Sequence, residues 1–106
     1  MRLFKILKKN NYLLPVIKSK KSYISSLSKI LEGTIIMNFV NIGSNTKIGK
    51  CCIINTKANI EHDVHIGNFS HISTGVIING GCKIGSKTFI GSGCIVDNNI
   101  TIGDNC

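Results

Sequence analysis

From Ile24 onward an aliphatic residue stands at every sixth position: Ile24, Ile30, Ile36, Ile42, Ile48, Ile54, Ile60, Ile66, Ile72, Ile78, Ile84, Ile90, Val96 and Ile102. No step of this series is skipped. Four places after each comes a small residue, from Ser28, Thr34 and Val40 through Cys52, Ala58 and Ser70 to Cys94 and Cys106, with Ile100 the exception. One place after the aliphatic residue, glycine recurs at Gly43, Gly49, Gly67, Gly85, Gly91 and Gly103. Internal periodicity of this kind outranks any local propensity. Six residues match neither a helical turn nor an alternating strand. They match a short strand plus a turn, repeated as one flat side of a triangular coil. The aliphatic residue then points into the prism, the small residue sits where the chain turns inward, and glycine beside the ladder permits backbone conformations that a Cβ would penalise. Three such sides make a coil of eighteen residues, so residues eighteen apart lie above one another. Residues 23–106 form this solenoid, four full coils and part of a fifth, and residues 1–22 form a flank with a helix-like beginning broken at Pro15.

A chain of 106 residues is one small domain, and stacking coils relieves the shortage of buried surface that limits small globular cores. The formal charge of +8 is unevenly placed, with eight of the thirteen basic residues in the first thirty positions. It reads as a solvated lysine-rich flank, or as attraction to an anionic partner such as a nucleotide or phosphate. No arginine-rich stripe with interleaved aromatics favours nucleic acid. No leader-like segment and no apolar run of membrane-spanning length stands out, which predicts a cytoplasmic protein without a membrane partner. The cysteines follow the repeat: Cys52, Cys82, Cys94 and Cys106 fall on the small inward track, where cysteine serves as a small buried hydrophobe. Only Cys51 is off it, and paired zinc-type spacings are missing.

Function is expected where the repeat breaks its own rule. All three histidines, His62, His65 and His71, fall within ten residues, and Glu61 and Asp63 flank His62. His62 is off both inward tracks and so reaches solvent or a neighbour. A histidine beside a carboxylate is the apparatus of a general base, although a surface histidine of no consequence fits the local pattern equally. Gly80 lies eighteen positions after His62, directly above it by the coil arithmetic. His62 and His71 are nine apart, half a coil, and therefore stand on opposite sides of the prism. They can meet only across chains, in a cleft between prisms packed side by side. A zinc site on histidines from two chains is the competing reading.

The stretch NTKANIEHDVHIGNFSHISTGVIINGGCKIGSKTFIGSGC resembles the acetyltransferase domain of the sialic acid O-acetyltransferase family, which is similar to bacterial N-acetyltransferases of UDP-linked amino sugars. The shared features are the Asn55-Thr56 pair, Glu61-His62-Asp63 with His62 seven residues beyond Asn55, Ile66-Gly67, His71-Ile72, Gly80-Gly81 and the Ile90-Gly91-Ser92-Gly93 segment. The likeness covers Ile24 to Cys106. It implies a hexapeptide-repeat solenoid of left-handed parallel β-helix type, a hand that is rare among parallel β connections. It also implies acetyl-CoA as donor, a hydroxyl or amine of a sugar or nucleotide sugar as acceptor, and a homotrimer. In that scheme His62 is the general base and Asp63 raises its basicity, with Glu61 the lesser candidate. His71 helps bind acetyl-CoA across the subunit cleft. The Gly80 backbone N–H supports the developing oxyanion, Gly91 and Ser92 meet the pantetheine arm, and Asn55 lines the acceptor side.

Family members carry a Rossmann-like domain before the solenoid, and the flank resembles its tail at most. The repeat also stops at Cys106, on its fifth residue and without a polar cap for the open edge, so the sequence reads as a C-terminally truncated piece of a longer enzyme. Two further readings stand beside the acetyltransferase: a zinc protein like the γ-carbonic anhydrases, and a structural or binding solenoid without catalysis.

Overall fold

The computed structural model describes residues 2–12 and 14–106. Met1 and Leu13 of the expected flank lie outside the described residues. Among the described residues one helix, α1 (Arg2–Lys9), precedes fifteen strands of two residues each. These form three parallel five-stranded sheets. Sheet A takes the strands that begin at Ile17, Ile35, Ile53, His71 and Phe89. Sheet B takes those beginning at Tyr23, Asn41, Asn59, Ile77 and Ile95, and sheet C those at Lys29, Lys47, His65, Lys83 and Thr101. The register joins residues eighteen apart, as in Ile35 with Ile53, Asn41 with Asn59 and Lys47 with His65. The result is the parallel β-solenoid expected from the repeat, of the left-handed β-helix type expected from the resemblance. It starts earlier than the repeat suggests, at Ile17–Lys18. That strand pairs with Ile35–Ile36 although Lys18 occupies an aliphatic slot, so the end of the flank belongs to the first of five coils.

In each strand the second residue points inward and the first outward, the alternation any strand imposes. The ladder from Ile36 to Val96 is buried, with exposures of 0–8%, while Ile24, Ile30 and Ile102 at the two ends of the stack are only partly buried. The small track does more than save space. Thr34 Oγ1 donates to Gly49 O at 2.7 Å, Thr46 Oγ1 to Glu61 O at 2.7 Å and Ser70 Oγ to Gly85 O at 2.7 Å. Each donor reaches the carbonyl fifteen residues on, in the next coil. Cys52 and Cys82 do the same with their thiols, toward Gly67 O at 3.1 Å and Asp97 O at 2.9 Å. These cysteines are therefore hydrogen-bond donors as well as small hydrophobes. Among the described residues no buried side-chain N or O atom lacks a partner. Cys94 and Cys106 depart from expectation, because both are exposed. Both lie on the last coil among the described residues.

The glycine track also has a different cause from the one the sequence suggests. Positive φ occurs instead at every sixth residue from Gly33 to Asn105, and nine of these corner positions carry side chains, Phe39, Cys51, Lys57 and Phe69 among them. The glycines after the ladder have ordinary φ. Four of them, Gly43, Gly49, Gly67 and Gly85, are required by the coil above: a Cβ on Gly43 would lie 2.8 Å from His62 N, and one on Gly67 would lie 2.6 Å from Ser86 N. Backbone cannot yield at such distances, so only glycine lets successive coils stack there.

The helix leans on the corner between sheets C and A. The Phe4 ring meets Phe69 edge-on, with centroids 5.5 Å apart, and Lys50 Nζ lies 5.9 Å from the Phe4 centroid. Lys8 Nζ pairs with Glu32 at 2.9 Å. Leu3, Phe4, Leu7 and Leu14 enclose a depression of about 300 Å³ over Gly33, Cys51 and Phe69. Burial there and the nearby Glu32 carboxylate push the Cys51 thiol pKa up.

Candidate active site

The corner between sheets B and C holds the first cluster. Residues 61–64 turn between the strand ending at Ile60 and the one beginning at His65. Asp63 there has φ 57°. This left-handed residue breaks the strand alternation, so adjacent side chains at 62 and 63 project outward together. His62 Nδ1 lies 2.9 Å from Asp63 Oδ2. Asn45, eighteen positions earlier on the same corner, donates from Nδ2 to the other oxygen, Asp63 Oδ1. The hydrogen bond with His62, followed by that from Asn45, holds the Asp63 carboxyl below its ordinary pKa. An ionised carboxylate only accepts. Nδ1 of His62 must therefore carry the shared hydrogen, and in the neutral ring Nε2 is left as a free base. Glu61 takes no part in this pair, and its carbonyl is instead held by Thr46.

Gly80 closes the corner from above, as the coil arithmetic requires. A Cβ at Gly80 would lie 2.5 Å from His62 Cε1 and 2.6 Å from Nε2. The imidazole occupies the space a side chain would fill, and Gly81 N anchors the coils by donating to His62 O at 3.1 Å. Among the described residues the Gly80 N–H has no hydrogen-bond acceptor. The corner thus offers a base, a carboxylate that stabilises its protonated form, and a free N–H donor beside it. Both acidic and basic members are open to solvent, with side-chain exposures of 60% for His62 and 52% for Asp63.

The second cluster lies on sheet A and its corner with sheet B, across the prism from His62. His71 Nε2 is 3.3 Å from Asn55 Nδ2. The His71 ring meets Phe89 edge-on at 5.2 Å. Asn55 Oδ1 accepts from Thr56 N at 2.7 Å. Ser92 Oγ is 2.8 Å from Ser73 Oγ, and the space over Gly91 is open except for Phe89 and Cys94 near 3.8 Å. The structure therefore joins His62, Asp63 and Gly80 in one cluster and Asn55, His71, Gly91 and Ser92 in another. Asn55 stands with His71 and not with His62. His65 belongs to neither, since it faces outward from sheet C between Lys47 and Lys83. Among the described residues no three His, Cys, Asp or Glu side chains converge as metal ligands do. Sequence reasoning missed Asn45, which its own eighteen-residue step back from Asp63 identifies. It also missed Phe89, which the same step places beside His71, and Ser73, which lies nineteen positions before Ser92 and so one place off that step.

A depression of about 410 Å³ holds neither cluster; it runs along sheet C past Lys29, Lys47, His65 and Asn68. On a single prism both clusters are open surface.

No family model matches the chain, and no curated protein matches it. Among solved structures it is similar to the acetyltransferase domain of PglB from Neisseria gonorrhoeae FA1090, with a TM-score of 0.90 and 26% identity over 97% of this chain and 52% of that one. The same domain in complex with acetyl coenzyme A gives the same values. PerB from Caulobacter crescentus, in complex with CoA and GDP-perosamine, shares the fold at a TM-score of 0.74 and 23% identity, over 95% of this chain and 57% of that one. These structural neighbours are hexapeptide-repeat acetyltransferases. The chain spans about half the length of each. No helix among the described residues is long and apolar enough to cross a membrane.

Proposed function

We propose that this chain is the β-helix of an acetyl-CoA-dependent acetyltransferase acting on an amine or hydroxyl of a sugar or nucleotide sugar, within or near the sialic acid O-acetyltransferase group. The observation that carries this reading is the His62–Asp63 pair packed beneath Gly80. The acetyl coenzyme A complex of the similar PglB domain supports the donor.

His62 Nε2 takes the proton of the acceptor as its nitrogen or oxygen attacks the thioester carbonyl. Asp63 accepts the Nδ1 hydrogen and stabilises the imidazolium that forms. The free Gly80 N–H donates to the carbonyl oxygen as it becomes negative. Collapse of the tetrahedral intermediate breaks the C–S bond, and the imidazolium returns its proton to the departing CoA thiolate. The acetylated sugar and CoA leave, and the base is regenerated.

His71 binds acetyl-CoA from a second copy and Asn55 beside it lines the acceptor side, because one prism holds both on the side away from His62. A homotrimer of side-by-side prisms sets sheet A of each copy against the sheet B–C corner of the next. Its contact surface is the outward column of sheet A, where Ile17, Ile35, Ile53 and Phe89 are 37–57% exposed.

The test is His62→Ala, assayed for thiol release from acetyl-CoA with amino- and hydroxy-sugars, free and nucleotide-linked. Transfer should fall by about 10²–10⁴-fold, the usual contribution of a general base, with the circular dichroism unchanged. Turnover within a few-fold of the parent protein would sink the mechanism.

A further inference from the structure

The corner that carries His62 and Asp63 repeats every eighteen residues as Asn45, Asp63, Gly81 and Asn99, all left-handed, at φ 56°, 57°, 76° and 58°. Asparagine and glycine reach this conformation at little cost, and a turn former is the plain reading of Asn45. The other corners weaken that reading. The same conformation is adopted by Phe39, Cys51, Lys57, Phe69 and Lys87, so the turn itself accepts aromatic, thiol and lysine side chains and does not demand an asparagine.

What position 45 supplies is a donor. Asp63 is a short side chain, 52% exposed, so packing alone does not fix its plane. Its Oδ2 stands 2.9 Å from His62 Nδ1, and its Oδ1 accepts from Asn45 Nδ2. Among the described residues these are its two side-chain partners. The His62 contact alone leaves the carboxylate free to turn about that bond or to exchange its oxygens. A second contact, on the other oxygen, sets the plane. Asn45 is in turn held by the stack: its N–H donates to Leu27 O at 3.1 Å, and the carbonyl of Ser44 before it accepts from Asp63 N at 3.0 Å. The coil above offers no substitute, because Gly81 has no side chain and Asn99 fills the space one would take.

We propose that Asn45 is a positioning residue for acetyl transfer: given the role of His62 proposed above, it holds the Asp63 carboxylate in the plane that keeps the His62 hydrogen on Nδ1 and leaves Nε2 as the base. Among the described residues the Asn45 side chain bonds to Asp63 alone, so its influence on the ring passes through the carboxylate. The donor also favours the ionised form of Asp63, whose pKa is lowered by His62 first and by Asn45 second. An ionised carboxylate can only accept, which is the condition for the Nδ1–H tautomer.

The experiment uses variants that tolerate the left-handed backbone: Asn45→Asp, of the same shape but with an acceptor in place of the donor, and Asn45→Gly. Thiol release from acetyl-CoA is measured with the sugars named above, and nitrogen NMR of the imidazole reads the tautomer of His62. Asn45→Gly should lower kcat by about tenfold, and Asn45→Asp by more, because two carboxylates would then face each other. KM for acetyl-CoA should stay within about twofold. In the neutral ring of Asn45→Gly the Nε2–H tautomer should gain at the expense of Nδ1–H. When Asp63→Gly is already present, adding Asn45→Gly should change kcat by less than about twofold, since no carboxylate remains to be held. A merely structural role would carry over into that background. Lys87→Gly, at the left-handed corner between sheets C and A, should keep kcat within about twofold, and circular dichroism checks that each variant folds. If the parent protein transfers no acetyl group, the role of His62 is what fails, and the tautomer alone decides whether Asn45 positions the pair. The proposal is overturned by full kcat in Asn45→Asp, by an equal loss from Asn45→Gly with and without Asp63, or by an unchanged tautomer in Asn45→Gly.

Discussion

Replacing Gly80 by alanine separates the site from the fold. Gly80 has an ordinary φ, so alanine meets no backbone penalty. Reduced freedom of the unfolded chain would by itself stabilise the protein by about 0.4–1 kcal/mol. The new Cβ lies 2.5 Å from His62 Cε1 and 2.6 Å from Nε2. Ordinary contact needs about 3.5 Å, so the ring must retreat by about 1 Å. His62 has room to do so, since its side chain is 60% exposed. The retreat carries Nδ1, now 2.9 Å from Asp63, toward the limit of a hydrogen bond, and it moves the base away from the reacting centre. Misplacement on this scale costs about 100-fold in rate, or about 2.7 kcal/mol of barrier. Gly67→Ala is the opposite case, because its Cβ strikes the backbone at Ser86 N, 2.6 Å away. It should destabilise by about 1–3 kcal/mol, lowering Tm by about 4–8 °C for each kcal/mol. Thermal unfolding and thiol release from acetyl-CoA, measured on both variants, read the two effects independently. Full turnover in Gly80→Ala with an unchanged Tm would show that the contact between Gly80 and His62 has no part in catalysis.

The Asp63 carboxyl should titrate below about 3.9, the free aspartate value, and carbon-detected NMR should show it move up toward that value in His62→Ala and, by less, in Asn45→Ala. A depressed folded pKa gives stability that is present above the unfolded pKa and lost as pH falls through the folded one. The parent chain should therefore lose this contribution in denaturant titrations only below about pH 4, and Asn45→Ala should lose less over the same window.

The ladder was legible because an inward-pointing residue every six positions admits no other regular coil. The pairing of His62 with Gly80 was legible for the same reason: once a coil is eighteen residues long, vertical neighbours follow by addition. That rule also reaches Asn45 from Asp63, yet an asparagine in a turn looks ordinary until its neighbour above is known to be the carboxylate. The glycine track was misread because a sequence shows that a side chain is excluded and not whether φ or a neighbouring coil excludes it. Lys57 and Phe69 at positive φ, beside Gly67 at ordinary φ, show that the answer here is the neighbouring coil. Cys94 and Cys106 carry the same pattern as Cys52 and Cys82, but burial in a solenoid depends on the coil above, which a six-residue period does not encode. The placement of α1 was hidden as well, since Phe4 meets Phe69 through a corner that only the folded coil assembles.

The two clusters impose a condition that can be counted. If the working site takes His62 from one copy and His71 from the next, His62→Ala and His71→Ala each disable every site in their own trimers. Unfolding the two variants together and refolding them at equal amounts forms mixed trimers. A site in such a trimer works only where the copy supplying the base carries the His71 change and its neighbour carries the His62 change. Random assortment makes that about one interface in four, so activity should recover to about a quarter of that of the parent. The assay belongs at acetyl-CoA below its KM, where loss of a binding residue such as His71 is fully felt. A site complete within one chain gives no recovery at any mixing ratio, because each copy would still lack one of its own histidines. A trimer joined through another face gives none either, since sheet A would no longer oppose the sheet B–C corner. Recovery near a quarter therefore tests the shared site and the packing of its faces together, and zero recovery refutes the assignment of His71 to the neighbouring copy.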